Sequence, residues 1–111
     1  MDKILYDKLV RDQIPQIIRA GGNDCEIRVL EEEEYRQRLE QKLSEELSEY
    51  LQSGQLEELA DLLEVMMALV KAKGSSWQEL EDIRQDKFAQ RGGFEKRLLL
   101  QSVTRETKRG R

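Results

Sequence analysis

The amino-acid sequence predicts an all-α protein built around two long helices in a tight antiparallel hairpin. Charged residues make up 38% of its 111 residues, aromatic residues only 5%, and there is a single proline; this composition favours helices over sheets. Apolar residues recur at helical spacing in two long stretches separated by Gln52-Ser53-Gly54. With a short N-terminal helix and a further helix, we expect an antiparallel bundle forming one domain over residues 1–100.

The first element is a short helix within Lys8 to Arg19. Pro15 fits the first turn of this helix if the helix begins near residues 11–13. Gly21-Gly22 then ends it. Apolar and β-branched residues alternate with polar ones from Cys25 to Leu30, so we expect an extended segment or one short strand there.

The two long helices are predicted over Glu31 to Leu51 and Gln55 to Lys73. Acidic residues crowd the start of the first, where the helix dipole favours them. Gly74 follows the second and ends it. The apolar stripe of the first long helix consists of Leu39, Leu43, Leu47, Tyr50 and Leu51.

The last predicted helix follows two N-cap candidates, Ser75 and Ser76, and stops at Gly92-Gly93. Residues 94–103 are compatible with an extended or a helical docking segment. Residues 101–111 carry a net charge of +3, against −7 for the rest of the chain, and we expect a basic, flexible tail. Because one hairpin leaves apolar surface open, we expect a homodimer or homotetramer to complete the bundle.

Composition also limits the chemistry. The chain has no histidine and one cysteine, Cys25, which excludes histidine-ligated metals, Ser-His and Cys-His catalysis and an internal disulfide framework. A single cysteine fits the reducing cytoplasm. No apolar run reaches membrane-spanning length, and the acidic body disfavours nucleic-acid polymers as partners. Any metal must therefore be held by oxygen ligands.

Two glutamates stand where the helical pattern calls for aliphatic side chains. At about 100° per residue, Glu46 falls within the apolar stripe of its helix, with Glu49 about 60° away. Glu58 falls among apolar residues of the next helix, with Asp61 about 60° away. Because the hairpin is tight, these two acidic pairs should face each other.

Two interpretations of the four carboxylates are open. Glutamates in a Glu-rich helix commonly form a solvated acidic face. Carboxylates that converge in a partly desolvated seam repel strongly, and protonation or a bound cation relieves the repulsion. Their oxygens would suit one or two Mg²⁺ or Mn²⁺ ions.

The acidic motifs resemble the EExxE…ExxD signature of the all-α nucleoside triphosphate pyrophosphohydrolases, the MazG-like superfamily. In this chain the two motifs are EELSE at residues 45–49 and ELAD at residues 58–61. The flanks YDKLVRDQIP (6–15) and KFAQRGGF (87–94) look like its compact branch of house-cleaning pyrophosphatases, often labelled phosphoribosyl-ATP pyrophosphohydrolase-like. The resemblance spans residues 6–100. The gap between the two acidic motifs is shorter than in most MazG proteins, which implies a differently shaped base pocket.

The resemblance implies a Mg²⁺-dependent cleavage between the α- and β-phosphates of a nucleotide. It implies that the four carboxylates of the two acidic pairs ligate the metal. Glu45, which lies beside them, would support a metal ligand or position the attacking water. Catalysis would then fall to Glu45 and Glu46, and phosphate binding to four basic residues. The metal ligands implied are Glu46, Glu49, Glu58 and Asp61, and the phosphate-binding residues are Lys8, Arg11, Lys87 and Arg91.

Alternatives remain at each level. Lys87 and Arg91 also fit a solvated helix end, and Lys8 and Arg11 fit ordinary helix-start chemistry. Within the enzyme class, the alternative substrate is phosphoribosyl-ATP of histidine biosynthesis. Outside it, the chain could be a non-catalytic helical module for self-association or regulation.

Overall fold

The computed structural model describes residues 2–106 and contains four α-helices, which confirms the all-α class. No strand occurs within these residues. A strand needs a hydrogen-bonding partner, and residues 25–30, for which we expected an extended segment or strand, are coil without one. The helices are α1 (Ile14–Ala20), α2 (Glu32–Ser53), α3 (Leu56–Ala72) and α4 (Trp77–Arg91).

The first helix is shorter than the sequence pattern predicts. Residues 8–13 precede α1 instead of belonging to it, and Pro15 lies in its first turn. A proline ring clashes with the carbonyl four residues earlier, here that of Arg11, so the regular helix cannot extend back over that residue. Lys8 and Arg11 therefore lie on an irregular segment that is free to run beside the hairpin.

Helices α2 and α3 form the predicted antiparallel hairpin. The chain reverses at Gly54, whose φ of 68° is left-handed and whose N–H donates to the Tyr50 carbonyl at 2.7 Å. Glycine adopts this conformation without steric cost, which makes the two-residue connection possible. Leu39 of α2 and Val65 of α3 are the buried apolar side chains of the described residues.

The last helix begins and ends where the sequence predicts. The Ser76 hydroxyl accepts a hydrogen bond from the Glu79 N–H at 3.1 Å and caps α4, which ends before Gly92. Helix α4 contacts α3 and no other helix in the described part of the chain. Residues 94–103 form no regular structure and are exposed.

One chain does not close a bundle around its hairpin. The extents are 78 × 32 × 26 Å and the radius of gyration is 21.0 Å, against about 13 Å for a compact domain of this length. Over residues 2–106, α1 packs on none of the other helices. None of the described helices is both long and apolar enough to span a bilayer. Residues 107–111 of the basic tail, which include Lys108, Arg109 and Arg111, lie outside the described residues.

Candidate metal centre

A buried glutamate lies in the middle of the α2–α3 seam. The helical register of α2 turns Glu46 toward α3, and the residue is only 6% exposed. Its Oε1 lies 3.3 Å from the Lys42 Nζ, while its Oε2 is buried without any hydrogen-bond partner. A buried carboxylate oxygen without a partner is energetically costly. The Glu46 side chain therefore has one unsatisfied ligand position inside the protein.

Two further carboxylates from the first turns of α3 surround this position. Glu58 and Asp61 are half-buried and one helical turn apart, so both project toward α2. One oxygen from each, together with one from Glu46, lie within 4.8 Å of one another. We refer to Glu46, Glu58 and Asp61 as the carboxylate cluster.

The electrostatics of Glu46 reflect its position. Burial raises the pKa of Glu46 above the ordinary value of 4.5, because desolvation disfavours the charged form. The Lys42 ammonium opposes this by stabilising the carboxylate, and the neighbouring Glu49 carboxylate raises the pKa further. A bound cation would stabilise the charged form of Glu46 and would therefore lower this pKa.

Three basic side chains contact the cluster or its neighbour Glu45. Arg11 donates to Asp61 Oδ1 at 2.6 Å. The Lys8 Nζ lies 3.8 Å from Glu45 Oε1, and the Lys42 Nζ lies 3.6 Å from the same oxygen. The irregular segment before α1 thus carries two of its basic side chains onto the hairpin.

These basic groups do not neutralise the acidic ones. Five carboxylates meet here, those of the cluster with Glu45 and Glu49, against the three cations of Lys8, Arg11 and Lys42. The surplus of about two negative charges matches one divalent cation. The buried Glu46 carboxylate, one oxygen of which has no partner, is part of this surplus.

The N-terminal segment is fixed upstream by Arg38 of α2. Arg38 donates to the Asp7 carbonyl at 3.0 Å and to Asp7 Oδ1 at 3.3 Å. The Lys8 Nζ also lies 5.6 Å from the centre of the Tyr6 ring, within range of a cation–π contact. An open groove between Asp7 and the start of α2 lies beside this anchor, but it does not include the carboxylate cluster.

The remaining site residues of the sequence analysis lie in different surroundings. Glu49 is exposed and close enough to Glu46 to raise its pKa, but it is not among the three convergent ligand oxygens. Lys87 and Arg91 are exposed on the C-terminal half of α4. Across residues 2–106, no ion pair links either of them to the cluster; the pairs there come from Lys8, Arg11 and Lys42.

Sequence reasoning missed Lys42 as a site residue. Lys42 precedes Glu46 by four residues, a spacing that places two side chains on the same helical face. That signal was present in the sequence, but it is common in charged helices and carries meaning only once Glu46 is seen to be buried. The role of Arg38 had no local signal, because its partner Asp7 is 31 residues away.

The donor set of the cluster fits a hard cation. All of its ligand atoms are carboxylate oxygens, which Mg²⁺ and Mn²⁺ prefer, and the described site offers neither imidazole nor thiolate. Half-burial of Glu58 and Asp61 leaves an approach for water and substrate. The three residues therefore suit a site that retains open coordination positions.

Comparisons with known proteins add little to this chemistry. An uncharacterized protein of Mycolicibacterium smegmatis (strain ATCC 700084 / mc(2)155) is 50% identical over 42 residues. The match covers 38% of this chain and 43% of that protein, so it spans less than half of either. No protein-family profile matches the sequence, and no solved structure matches the chain.

Proposed function

We propose that this protein is a Mg²⁺-dependent nucleotide pyrophosphohydrolase. It cleaves between the α- and β-phosphates of a non-canonical nucleoside triphosphate and yields the monophosphate and pyrophosphate. The observation that carries the proposal is the buried Glu46, whose Oε2 has no hydrogen-bond partner and whose carboxylate converges with those of Glu58 and Asp61. The resemblance of the two acidic motifs to the MazG-like signature supplies the reaction class.

Glu46, Glu58 and Asp61 would hold the cation, and Glu49 would complete the set by a change of rotamer on its exposed face. When bound, Mg²⁺ supplies charge neutralisation of the polyphosphate and a lowered pKa for the attacking water; Mn²⁺ is a suitable substitute. Lys42 lies against Oε1 of Glu46 and leaves Oε2 without a protein partner.

Glu45 is the group best placed to orient the attacking water. Its side chain is about one-third exposed at the edge of the cluster and is held between the Lys8 and Lys42 ammonium groups. Both ammonium groups lie against its Oε1. A carboxylate in this position can accept a proton from water, while Glu46 would ligate the cation.

The phosphates of the substrate would bind the basic side chains that border the cluster. Arg11 already lies against Asp61 of the cluster and Lys8 against the adjacent Glu45. A polyphosphate offers stronger acceptors, bidentate for the Arg11 guanidinium and charge-assisted for the Lys8 ammonium. Lys87 and Arg91 are proposed contacts of the leaving pyrophosphate, one turn apart on α4. We further propose a cytoplasmic enzyme that works as a homo-oligomer.

The test is pyrophosphate release from a panel of canonical and damaged nucleoside triphosphates, with phosphoribosyl-ATP in parallel, in the presence of Mg²⁺. We expect turnover of at least one triphosphate and its loss in Glu49→Gln and Asp61→Asn. Turnover of phosphoribosyl-ATP alone would instead identify the protein as a phosphoribosyl-ATP pyrophosphohydrolase of histidine biosynthesis. Absence of turnover throughout the panel, with cation binding unchanged in both variants, would refute the enzyme and its site together.

A non-catalytic self-association module is the competing function, and one observation supports it. Many large apolar side chains of the hairpin are exposed, including Leu59, Leu63 and Met66 on α3. Such a module needs no cation. Cation binding at the carboxylate cluster therefore separates the two functions before any substrate is known.

A further inference from the structure

The backbone around Lys8 lacks the hydrogen bonds that fix a residue within a helix. Lys8 lies at a bend in the irregular segment before α1, and no backbone–backbone hydrogen bond within residues 2–106 involves it. Its Nζ nevertheless lies 3.8 Å from Glu45 Oε1, beside the carboxylate cluster. A side chain elsewhere in the fold must therefore hold this part of the chain in place.

Arg38 of α2 binds the peptide group that leads into Lys8. Its guanidinium donates to the Asp7 carbonyl at 3.0 Å and to Asp7 Oδ1 at 3.3 Å. That carbonyl belongs to the planar peptide group between Asp7 and Lys8, so Arg38 fixes the plane from which the Lys8 backbone departs. The rigid fork of a guanidinium suits this task, because it holds two acceptor oxygens at once.

The backbone of Asp7 adopts a conformation that needs such support. Its φ of 48° lies in the left-handed region, which residues other than glycine adopt rarely, although aspartate tolerates it better than most. Conformations of this kind persist where surrounding contacts hold them. The two bonds from Arg38 are contacts of this kind, and the chain bends immediately afterwards, at Lys8.

Arg38 is itself held within the protein. Its side chain is only 23% exposed, and its Nε lies 3.6 Å from Glu34 Oε2. Arg28 donates to both oxygens of Glu34, at 3.0 and 2.9 Å, and so holds that carboxylate in turn. The side chain of Asp7 is 85% exposed, and an ion pair with so exposed a partner adds little stability. The main consequence of the Arg38–Asp7 contact is therefore the position of the segment that follows it.

We propose that Arg38 is a positioning residue, which orients Lys8 toward the phosphates of the substrate by binding the Asp7 carbonyl. The inference rests on the proposed function, in which Lys8 binds phosphate. The contacts of the Arg38 guanidinium are with Asp7 and Glu34 and not with the carboxylate cluster. Arg38 thus acts through Lys8 and is not a catalytic residue.

The experiment measures the binding of inorganic tripolyphosphate at saturating Mg²⁺ by calorimetry, on the full chain and its variants. We expect Arg38→Gln to raise the tripolyphosphate Kd by about tenfold, the effect of losing a charge-assisted hydrogen bond that orders the site. The matched control is Arg36→Gln, which removes the same charge from an exposed position of the same helix and should change the Kd by no more than about twofold. Circular dichroism checks that the helices are retained.

A second variant, Asp7→Gly, tests the same contact from its exposed side. It removes the Oδ1 acceptor and frees the backbone, so we expect the tripolyphosphate Kd to rise by about threefold. Charge alone predicts the opposite, because the loss of a carboxylate favours an anion. Unchanged or tighter binding in Asp7→Gly would overturn the inference.

A double-mutant comparison separates positioning from a general structural role. In a chain that already carries Lys8→Gln, Arg38→Gln should weaken binding by less than about threefold, because the residue that it positions is gone. An undiminished tenfold loss there, or no loss in Arg38→Gln alone, would overturn the inference and leave the proposed function intact. A wild-type chain that binds no tripolyphosphate would refute phosphate binding at this site, and both proposals with it.

Discussion

The two sides of α3 reverse the usual relation between polarity and burial. The inner side turns Glu58 and Asp61 toward a buried Glu46, whereas the outer side leaves Leu59, Leu63 and Met66 substantially exposed. In an isolated helical hairpin both arrangements are unfavourable. The carboxylates of the inner side lose part of their hydration, and the apolar side chains of the outer side remain in contact with water. The contrast supports the proposed cation site on the inner side and the proposed homo-oligomer contact on the outer side.

The largest expected effect comes from removing charge on the inner side. Glu46→Gln keeps the size of the side chain but removes a carboxylate of the proposed cation site, and a catalytic cation is worth several kcal/mol in the transition state. We expect pyrophosphate release to fall about 100-fold or more. The matched control is Glu40→Gln, an exposed glutamate of the same helix, which should retain turnover. Equal losses in the two variants would show that the inner side has no special role.

Cation binding should stabilise the fold through the inner side. A ligand that binds only the folded protein stabilises it by about 2.7 kcal/mol at a concentration 100-fold above its Kd, which corresponds to a rise in Tm on the order of 10 °C for a chain of this size. Thermal unfolding with Mg²⁺ and with NaCl of matched ionic strength measures this difference. A solvated acidic face would respond alike to both salts, and that result would remove the contrast between the two sides.

Apolar substitutions should distinguish the two sides by their dependence on protein concentration. Val65→Ala deletes buried methyl groups between α2 and α3 and should cost about 2 kcal/mol of unfolding free energy at any concentration. Leu63→Ala, at an exposed position on the opposite side of α3, should cost less at low concentration and more as the proposed homo-oligomer forms. Chemical denaturation at two protein concentrations provides the measurement. Identical concentration dependence for both variants would contradict the assignment of the outer side.

The smallest expected effect is a pH dependence that arises from Glu46. Its raised pKa means that the folded, cation-free protein binds this proton more tightly than the unfolded chain does. Between the ordinary value of 4.5 and the raised value, stability therefore falls as pH rises, because the folded state must give up a proton that it holds more tightly. Denaturation in chelator should show this fall in the wild-type chain and its absence in Glu46→Gln. A fall that persists in the variant would assign it to other groups.

Local sequence signals account for the part of the fold and of the site that could be predicted. The ends of α2, α3 and α4 fall within two residues of the expected positions, since glycines, a serine cap and helical periodicity are local signals. The same periodicity located Glu46 and Glu58 on facing sides of the hairpin. The opposite side of α3 also carries apolar residues at helical spacing, among them Leu59, Leu63 and Met66, and uncovered apolar surface of this kind is why the sequence predicts a homo-oligomer.

Long-range contacts account for what was not predicted. Arg11 reaches Asp61 across 50 residues of sequence, and no periodicity relates an irregular segment to a helix that far away. The proposed pairing of Lys87 and Arg91 with phosphate likewise depends on a substrate or an assembly, and the single chain leaves both side chains in solvent. Residues 25–30 had an alternating pattern that fits an extended segment or one short strand, but the rest of the described chain offers no second strand for pairing.

The most direct test of the central claim is a calorimetric titration of Mn²⁺ into the wild-type chain and into Glu46→Gln at neutral pH, with Glu40→Gln as the control. We predict saturable binding of one or two ions per chain in the wild type and the control, competition by Mg²⁺, and loss of that binding in Glu46→Gln. Binding of equal affinity in all three proteins, or no saturable binding to the wild type, would contradict a cation site between α2 and α3.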